Sequence, residues 1–423
     1  MEDGGATGAD VLVVSPHIPK FDQQAGWLRL YLILQILARR YRVRFLGRMD
    51  ADTRSLRYLT ALQELGIDVR VAPQVDVADI LEDVNLCVFF EFFTTAERAL
   101  ARVRIRRPDL PVVVDTVDVH FVRELRALKY LQPSWLARRR AERTKKRELQ
   151  VYQGTDLIVT VTENDRTEIL RELPEARVTV VPLIHEAQDT VPGFHERRRN
   201  SLLFVGGFSH SPNVDAVLFF CRDVLPHVKR ALPDVEVTIV GDQPPEAITQ
   251  LGRDDVVIAG WVPELSSLLD SHRVSIAPLR FGAGMKGKIA EAMAAGLPVV
   301  TTSIGAEGMD LEHGETALIA DSAEAFAEAV VQLCSDAHLH RRLSESGRLH
   351  ARRRWGLAPV ERKLIEAIEG LRALKPKRLQ GREWIAARIR DAFVRSGLAN
   401  RSTRVATVTS WYGGKLLRML RKR

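Results

Sequence analysis

The chain has 423 residues, 46% of them hydrophobic, and a formal net charge of +8. That length exceeds one ordinary core and predicts two domains, and no run of about 18 apolar residues is present to span a bilayer. Three widely spaced cysteines, Cys87, Cys221 and Cys334, suggest neither a disulfide framework nor a zinc site and fit a reducing cytoplasm.

The charge is unevenly spread. Residues 375–423 hold 14 Lys and Arg against Glu383 and Asp391, while the remainder carries more acidic than basic residues. The body is mildly acidic and the terminal segment is the basic object, so the positive total does not point to a nucleic-acid partner.

In chain order, short apolar runs alternate with longer helical patterns. DVLVVS (10–15) lacks the charged start and cleavage site of a signal peptide. It is followed by a helix around 26–40, then YRVRFLG (41–47), LCVFFEF (86–92), PVVVDTV (111–117) and DLIVTVT (156–162). The rhythm restarts with SLLFVGG (201–207), VEVTIVG (235–241), DVVIAG (255–260), RVSIAPL (273–279), LPVVTTS (297–303) and ALIAD (317–321). Continuous apolar runs of this kind predict buried parallel strands with crossover helices. Two series predict two doubly wound α/β domains, with Pro182 to Arg199 as the linker. Ligands in such sheets bind at the carboxyl ends of strands.

Two post-strand loops of the second series have the chemistry of anion cradles. FGAGMKGK (281–288) follows RVSIAPL and precedes a helix expected over Ile289–Ala295, closed by Gly296 and Pro298. Its glycines, Gly284 among them, let backbone amides approach a ligand. Arg280, Lys286 and Lys288 supply positive charge suited to phosphate. Glu291, one turn into the helix, suits a sugar diol. A solvated surface loop with an ordinary helical glutamate is the competing reading. The other loop, Gly206-Gly207, ends SLLFVGG and runs into Ser211-Pro212, a helix-start pair.

FVGGFSHSPNVDAV, VEVTIVGD, VVIAGWVPELSSLL and VSIAPLRFGAGMKGKIAEAMAAGLPVVTT, with GAEGM, resemble the donor half of glycosyltransferase family 4, retaining nucleotide-sugar transferases of the GT-B architecture. The likeness is dense over about residues 200–355 and looser before them. It implies two Rossmann-like domains facing across a cleft, with a basic helical C-terminal extension. The expected layout is an acceptor domain (1–185), a donor domain (186–357), a helix crossing back to the first domain (358–374) and a basic amphipathic tail (375–423). The resemblance implies that Glu291 binds the donor ribose and that Gly206 and Gly207 contact the donor phosphates or sugar. Two departures stand out. A second glutamate common in the family is Ala283 here, and FSHSPN replaces an Arg and Lys that often follow the first glycines. Neutralisation of the diphosphate is then expected from Arg280, Lys286 and Lys288.

In the first half, Gly26 matches the family's first-strand glycine, close to the reacting phosphate and acceptor. Asp115, Asp118 and His120 end PVVVDTVDVH. Acids there often cap turns, yet the resemblance places a histidine of this loop beside the transferred sugar, making His120 and Asp118 the candidate catalytic residues. Glu163, in VTENDRTEIL, is a further candidate cleft contact. Asp115 and Asp118 lack the spacing of a metal-binding DxD pair, and metal independence with no cofactor is the family expectation. The resemblance implies a nucleotide-diphosphate sugar as the donor substrate. It likewise implies a glycan or lipid-linked glycan as the acceptor, in polysaccharide or glycolipid synthesis.

The basic residues Arg138, Arg139, Arg140, Arg143, Lys145, Lys146 and Arg147 fall on one helix, as a solvated face. In the tail, Trp384, Ile385, Ile389 and Phe393, then Leu416 and Leu420, form apolar stripes flanked by Arg and Lys. That composition suits an anionic membrane surface, or a helix packed on the body. The expected location is cytoplasmic, peripheral on the inner face of the membrane. A sugar-nucleotide 2-epimerase of the same architecture and a catalytically silent interaction module are the alternative functions.

Overall fold

The computed structural model describes residues 10–23, 25–50, 55–130 and 134–378. The amphipathic stripes of the tail, from Trp384 to Leu420, lie outside the described residues.

The first sheet contains β1 (Asp10–His17), β2 (Arg42–Arg48), β3 (Asp68–Ala72), β4 (Cys87–Glu91), β5 (Val112–Asp115), β6 (Leu157–Thr160) and β7 (Val178–Val180). Their order is β3-β2-β1-β4-β5-β6-β7, all parallel. The second contains β8 (Ser201–Val205), β9 (Glu236–Val240), β10 (Val256–Gly260), β11 (Val274–Ala277), β12 (Val299–Thr301) and β13 (Leu318–Ile319). It runs β10-β9-β8-β11-β12-β13, again parallel. The central strands are buried on both faces, as their unbroken apolar runs require. β3 and β7 escape the sequence pattern because they are edge strands. Each is only partly buried, and β3 carries Asp68 and Arg70.

Both sheets wind outward from their first strand, so the order reverses between β1 and β4 and between β8 and β11. Adjacent loops diverge at such a point and open a crevice at the strand carboxyl ends. The segments that follow β1, β8 and β11 carry Gly26, Gly206-Gly207 and the 281–288 stretch, Gly26 already in the first turn of a helix.

Between β7 and β8 no helix or strand forms. This linker is pinned by Arg197, only 2% exposed, whose guanidinium donates to the carbonyls of Leu269 (2.5 Å), His272 (2.9 Å) and Gly296 (3.2 Å). After the second domain, the helix Leu357–Glu369 buries Val360, Leu364 and Ile368 in the same core as Ile33, Leu37 and Phe45 of the first. Tyr41 Oη donates to Glu369 at 2.5 Å on that contact. The chain therefore crosses between the domains twice. No described helix is long and apolar enough to cross a membrane.

Candidate functional site

At the first sheet's carboxyl edge two bulky residues hold left-handed backbone, Phe92 (φ 64°) after β4 and Val117 (φ 53°) after β5. Such strain persists only where the surroundings impose it, and it concentrates at functional loops. The Val117 turn lies over the helix Ala25–Ala38, where a β-carbon on Gly26 would meet Val117 Cγ1 at 3.7 Å. It then delivers Asp118 and His120, the first residue of the helix His120–Tyr130.

Glu148 fixes that helix start from the neighbouring helix Trp135–Gln153. Its carboxyl accepts from His120 N (3.1 Å), Phe121 N (2.8 Å) and Tyr152 Oη (2.6 Å). Burial pushes it up to about 7 against these donors. The His120 ring packs edge-on against Phe93, centroids 5.1 Å apart. Its Nδ1 stands 3.5 Å from Asp118 Oδ1 and has no hydrogen-bond partner among the described residues. Burial holds the imidazole below its ordinary value, which keeps it neutral at pH 7. Asp118 itself is engaged by Arg123.

Beneath this edge is a buried charge cluster. Arg29 pairs with Asp115 and donates to Val181 O at 2.8 Å, and Ser15 Oγ donates to Glu91 at 2.5 Å. Glu91 and Asp115 are register neighbours on β4 and β5. One cation faces two carboxyls, and burial together with Asp115 pushes Glu91 up to about 8. Asp115 is thus a structural group in the floor of the crevice.

On the second domain the helix begins at Gly287, two residues earlier than the sequence suggests, with Lys286 at its N-cap and Ala294 as its last residue. Its end is fixed by Gly296 at φ +63° and by Leu297 N donating to Ala292 O at 2.9 Å. Lys288 reaches under the Gly206-Gly207 turn: a β-carbon on Gly206 would lie 2.7 Å from Lys288 Nζ. The ammonium donates to Asn213 Oδ1 and stands 4.6 Å from the Phe204 ring centroid. Asn213 Nδ2 in turn donates to Gly207 O at 2.7 Å. Burial and the neighbouring Lys286 push Lys288 down to about 7. The Gly206 amide is spent on Val240 O (2.9 Å), leaving the Gly207 amide as the turn's open donor among the described residues.

Lys286 is 7% exposed, and its ammonium has no hydrogen bond or ion pair among the described residues. Burial lowers its ammonium, with Glu307 and Asp165 opposing. The carboxyl of Glu291, one turn beyond Lys288 on the same helix face, likewise has no partner among the described residues. Burial pushes its carboxyl up to about 7. A buried ammonium and a half-buried carboxylate without partners make a site incomplete by itself.

The two halves meet here. Gly284, at φ +70°, is packed against Asp118, and its amide donates to Asp165 Oδ1 at 3.4 Å. Arg126 clamps the same loop, donating to Gly282 O at 3.2 Å and pairing with Glu307. Gly26, Asp118, His120 and Gly284 are therefore linked by contacts through Val117 and Asp118, and Gly206, Gly207 and Lys288 through Asn213, while Lys286 and Glu291 join the second group by their place on the same helix. Two candidates stand differently. Arg280 is held by Asp215 through a two-point pair (2.9 and 2.5 Å), so its charge is already matched. Glu163 is exposed and pairs with Arg166 on its own helix at 3.1 Å. Sequence reasoning missed Asn213, Glu148, Asp165 and Arg126, each of which meets the site through a partner far away along the chain: Lys288, His120, Gly284 and Gly282 respectively. Only Asn213, inside the SPN helix start, gave any local signal.

Residues 199–336 match the family described as Glycosyl transferases group 1. The chain is 30% identical over 140 residues to a 44.6 kDa protein in the cps region of Klebsiella pneumoniae, covering 31% of this chain and 36% of that protein. It thus spans little more than a third of that relative's length. Among solved structures, the sucrose-phosphate synthase of Thermosynechococcus elongatus superposes with a TM-score of 0.63 at 14% identity, covering 86% of this chain and 99% of that one. Anabaena HepE in complex with UDP and glucose gives 0.61 at 16% identity, with 86% and 99% coverage. At such identities the likeness is one of fold: two parallel-sheet, Rossmann-like domains in the GT-B arrangement.

Proposed function

We propose that the protein is a retaining glycosyltransferase of family 4 type. In this reading it moves a sugar from a nucleotide-diphosphate donor to a glycan or lipid-linked glycan acceptor in cell-surface polysaccharide or glycolipid synthesis. The observation that carries the proposal is the unpartnered Glu291 carboxylate one turn beyond Lys288, on a helix whose N-cap is the unpartnered Lys286. A ribose diol would satisfy the carboxylate. A diphosphate would satisfy the two ammonium groups, the Gly207 amide and the helix N-terminus. Gly206, without a side chain, leaves room for Lys288 beneath it, and the family match covers all of these residues.

The sugar then projects toward His120 and Asp118, with Gly26 and Gly284 bringing backbone close to the reacting centre. A neutral His120 can share a hydrogen bond with a sugar hydroxyl, and Arg123 holds Asp118 as an orienting charge. Catalysis in this reading is positioning plus stabilisation of the departing diphosphate. The leaving phosphate oxygen accepts the acceptor's proton on the same face, so no metal and no cofactor is required. Arg280 contributes by tying the 281–288 loop to Asp215, a positioning role. The basic segment 375–423 would hold the enzyme on the inner face of an anionic cytoplasmic membrane.

Incubation of the purified protein with a panel of labelled nucleotide sugars tests this. A transferase slowly hydrolyses one donor, and an epimerase interconverts sugar nucleotides without acceptor. A silent module does neither, and that result would end the proposal.

A further inference from the structure

The helix Trp135–Gln153 has two unlike halves. Its second half is built into the body: Glu148, Val151 and Tyr152 are buried, Lys145 pairs with Glu172 at 2.8 Å, and Arg147 pairs with Glu97 at 2.5 Å. In its first half only Ala141 is buried. Because Glu148 binds the first amides of the helix His120–Tyr130, it marks the level of the first sheet's carboxyl edge. From Gly154 the chain enters β6 at its start, so the helix runs against the strands. At 1.5 Å per residue, Trp135 then stands about 20 Å beyond that edge. The two helices form a hairpin rising from the rim of the crevice.

The hairpin's tip has an unusual composition for a solvated helix. Trp135 is 62% exposed and its neighbour Leu136 60%. Arg138, Arg139, Arg140 and Arg143 follow, all exposed and none paired with a carboxylate among the described residues. Several exposed arginines elsewhere on this domain are matched, as Arg42 is to Asp10 and Arg70 to Asp68; Arg48, Arg98, Arg106 and Arg177 are unmatched among the described residues but stand apart from one another, whereas the tip gathers four such arginines within six positions. The Arg139 guanidinium lies 5.5 Å from the Trp135 ring centroid, so charge and ring share one face. Single exposed apolar residues are ordinary. An adjacent Trp-Leu pair at the end of a projecting, unpaired basic helix is the composition of an interfacial anchor, with indole and leucine at headgroup depth and guanidiniums on lipid phosphates.

We propose that the Trp135–Arg143 tip is a docking surface for a bilayer containing anionic phospholipid. Docking there turns the mouth of the crevice toward the membrane, because the other helix of the hairpin begins at His120. The surface supplies a membrane contact for the lipid-linked acceptor of the function proposed above, and it is independent of the basic segment after residue 378. A polyanion such as nucleic acid would engage the arginines but leave the Trp-Leu pair in water.

The test uses the full chain with Leu136→Cys carrying a polarity-sensitive fluorophore; Cys87, Cys221 and Cys334 are buried and leave the label site-specific. Phosphatidylcholine vesicles containing phosphatidylglycerol should shift the emission to the blue. Phosphatidylcholine alone should not, and high salt should reverse the shift. Changing Arg138, Arg139 and Arg140 to Ala together should weaken the titration on the order of a hundredfold. Protein that sediments with anionic vesicles without a spectral shift would place attachment elsewhere and overturn the proposal, as would a shift seen only with nucleic acid. Nucleotide-sugar binding by the labelled protein reads the donor site separately, so loss of one result leaves the other standing.

Discussion

Gly284 and Asp118 come from different domains and touch. A β-carbon on Gly284 would lie 3.0 Å from the Asp118 β-carbon, and the glycine holds a φ of +70°. The contact sets the distance between the loop after β11 and the loop that carries His120. Gly284→Ala meets both a left-handed backbone, costing about 1–2 kcal/mol, and a neighbour with little room to move. Under the proposed function, turnover should fall more than donor affinity, with a lowered Tm, because the loops of the two domains are pushed apart. Steady-state kinetics beside calorimetry checks this, and unchanged turnover would show that the spacing is unimportant.

Glu291→Gln should weaken nucleoside binding by about 1.5–3 kcal/mol, the scale of a charge-assisted hydrogen bond. The carboxyl is pushed up to about 7 by burial, so the wild-type protein must lose a proton to accept strongly. Its nucleoside affinity should fall as pH drops below about 7, whereas the glutamine variant's should be flat. Calorimetric titrations across that range decide it.

Lys288→Ala should cost a nucleoside diphosphate more affinity than it costs the free nucleoside, since the partner proposed for the ammonium is the anion. Burial holds that ammonium down to about 7. Diphosphate affinity in the wild type should therefore also decline as pH rises through that value, and the decline should vanish in the variant. Equal losses for both ligands would make Lys288 a prop for Asn213 and the Gly206 turn.

His120→Ala should depress turnover while donor affinity is largely kept, because the contact proposed for the ring is with the transferred sugar and not with the phosphates. Its edge contact with Phe93 is lost too, so a urea melt is needed alongside. Wild-type turnover in a folded variant would remove His120 from the reaction.

Glu91→Gln addresses the floor of the crevice. Folding raises the carboxyl from 4.5 to about 8, so the native state holds a proton that the unfolded chain has released. That stabilising difference is complete below 4.5 and is lost as pH rises through about 8. Wild-type stability should decline across this window. Glutamine cannot titrate, so the variant's decline should be smaller, and urea melts at the two ends of the window measure it.

The sequence by itself determined the two sheets. Runs such as Val112 to Val114 and Leu202 to Phe204 can be satisfied only by burial on both faces, and the glycines, Pro298 and the Ser211-Pro212 pair mark where helices start or stop for purely local steric reasons. It also determined which loops could cradle an anion, because Gly206-Gly207 and Gly284 to Glu291 are each contiguous in the chain. Tertiary structure decided the charge state and availability of every group in those loops. Arg280 and Lys286 are equivalent cations in the sequence, yet Arg280 meets Asp215 across 65 residues of chain while Lys286 meets no partner among the described residues. Asp115 and Asp118 are three positions apart, yet one is sealed against Arg29 in the floor and the other is at the meeting of the domains. Which charged group is buried and which distant residue pairs with it arise from how remote segments pack, and local patterns of residue type do not specify that. The edge strands β3 and β7 were lost for a related reason: a half-solvated strand is free to carry the charges that hide it.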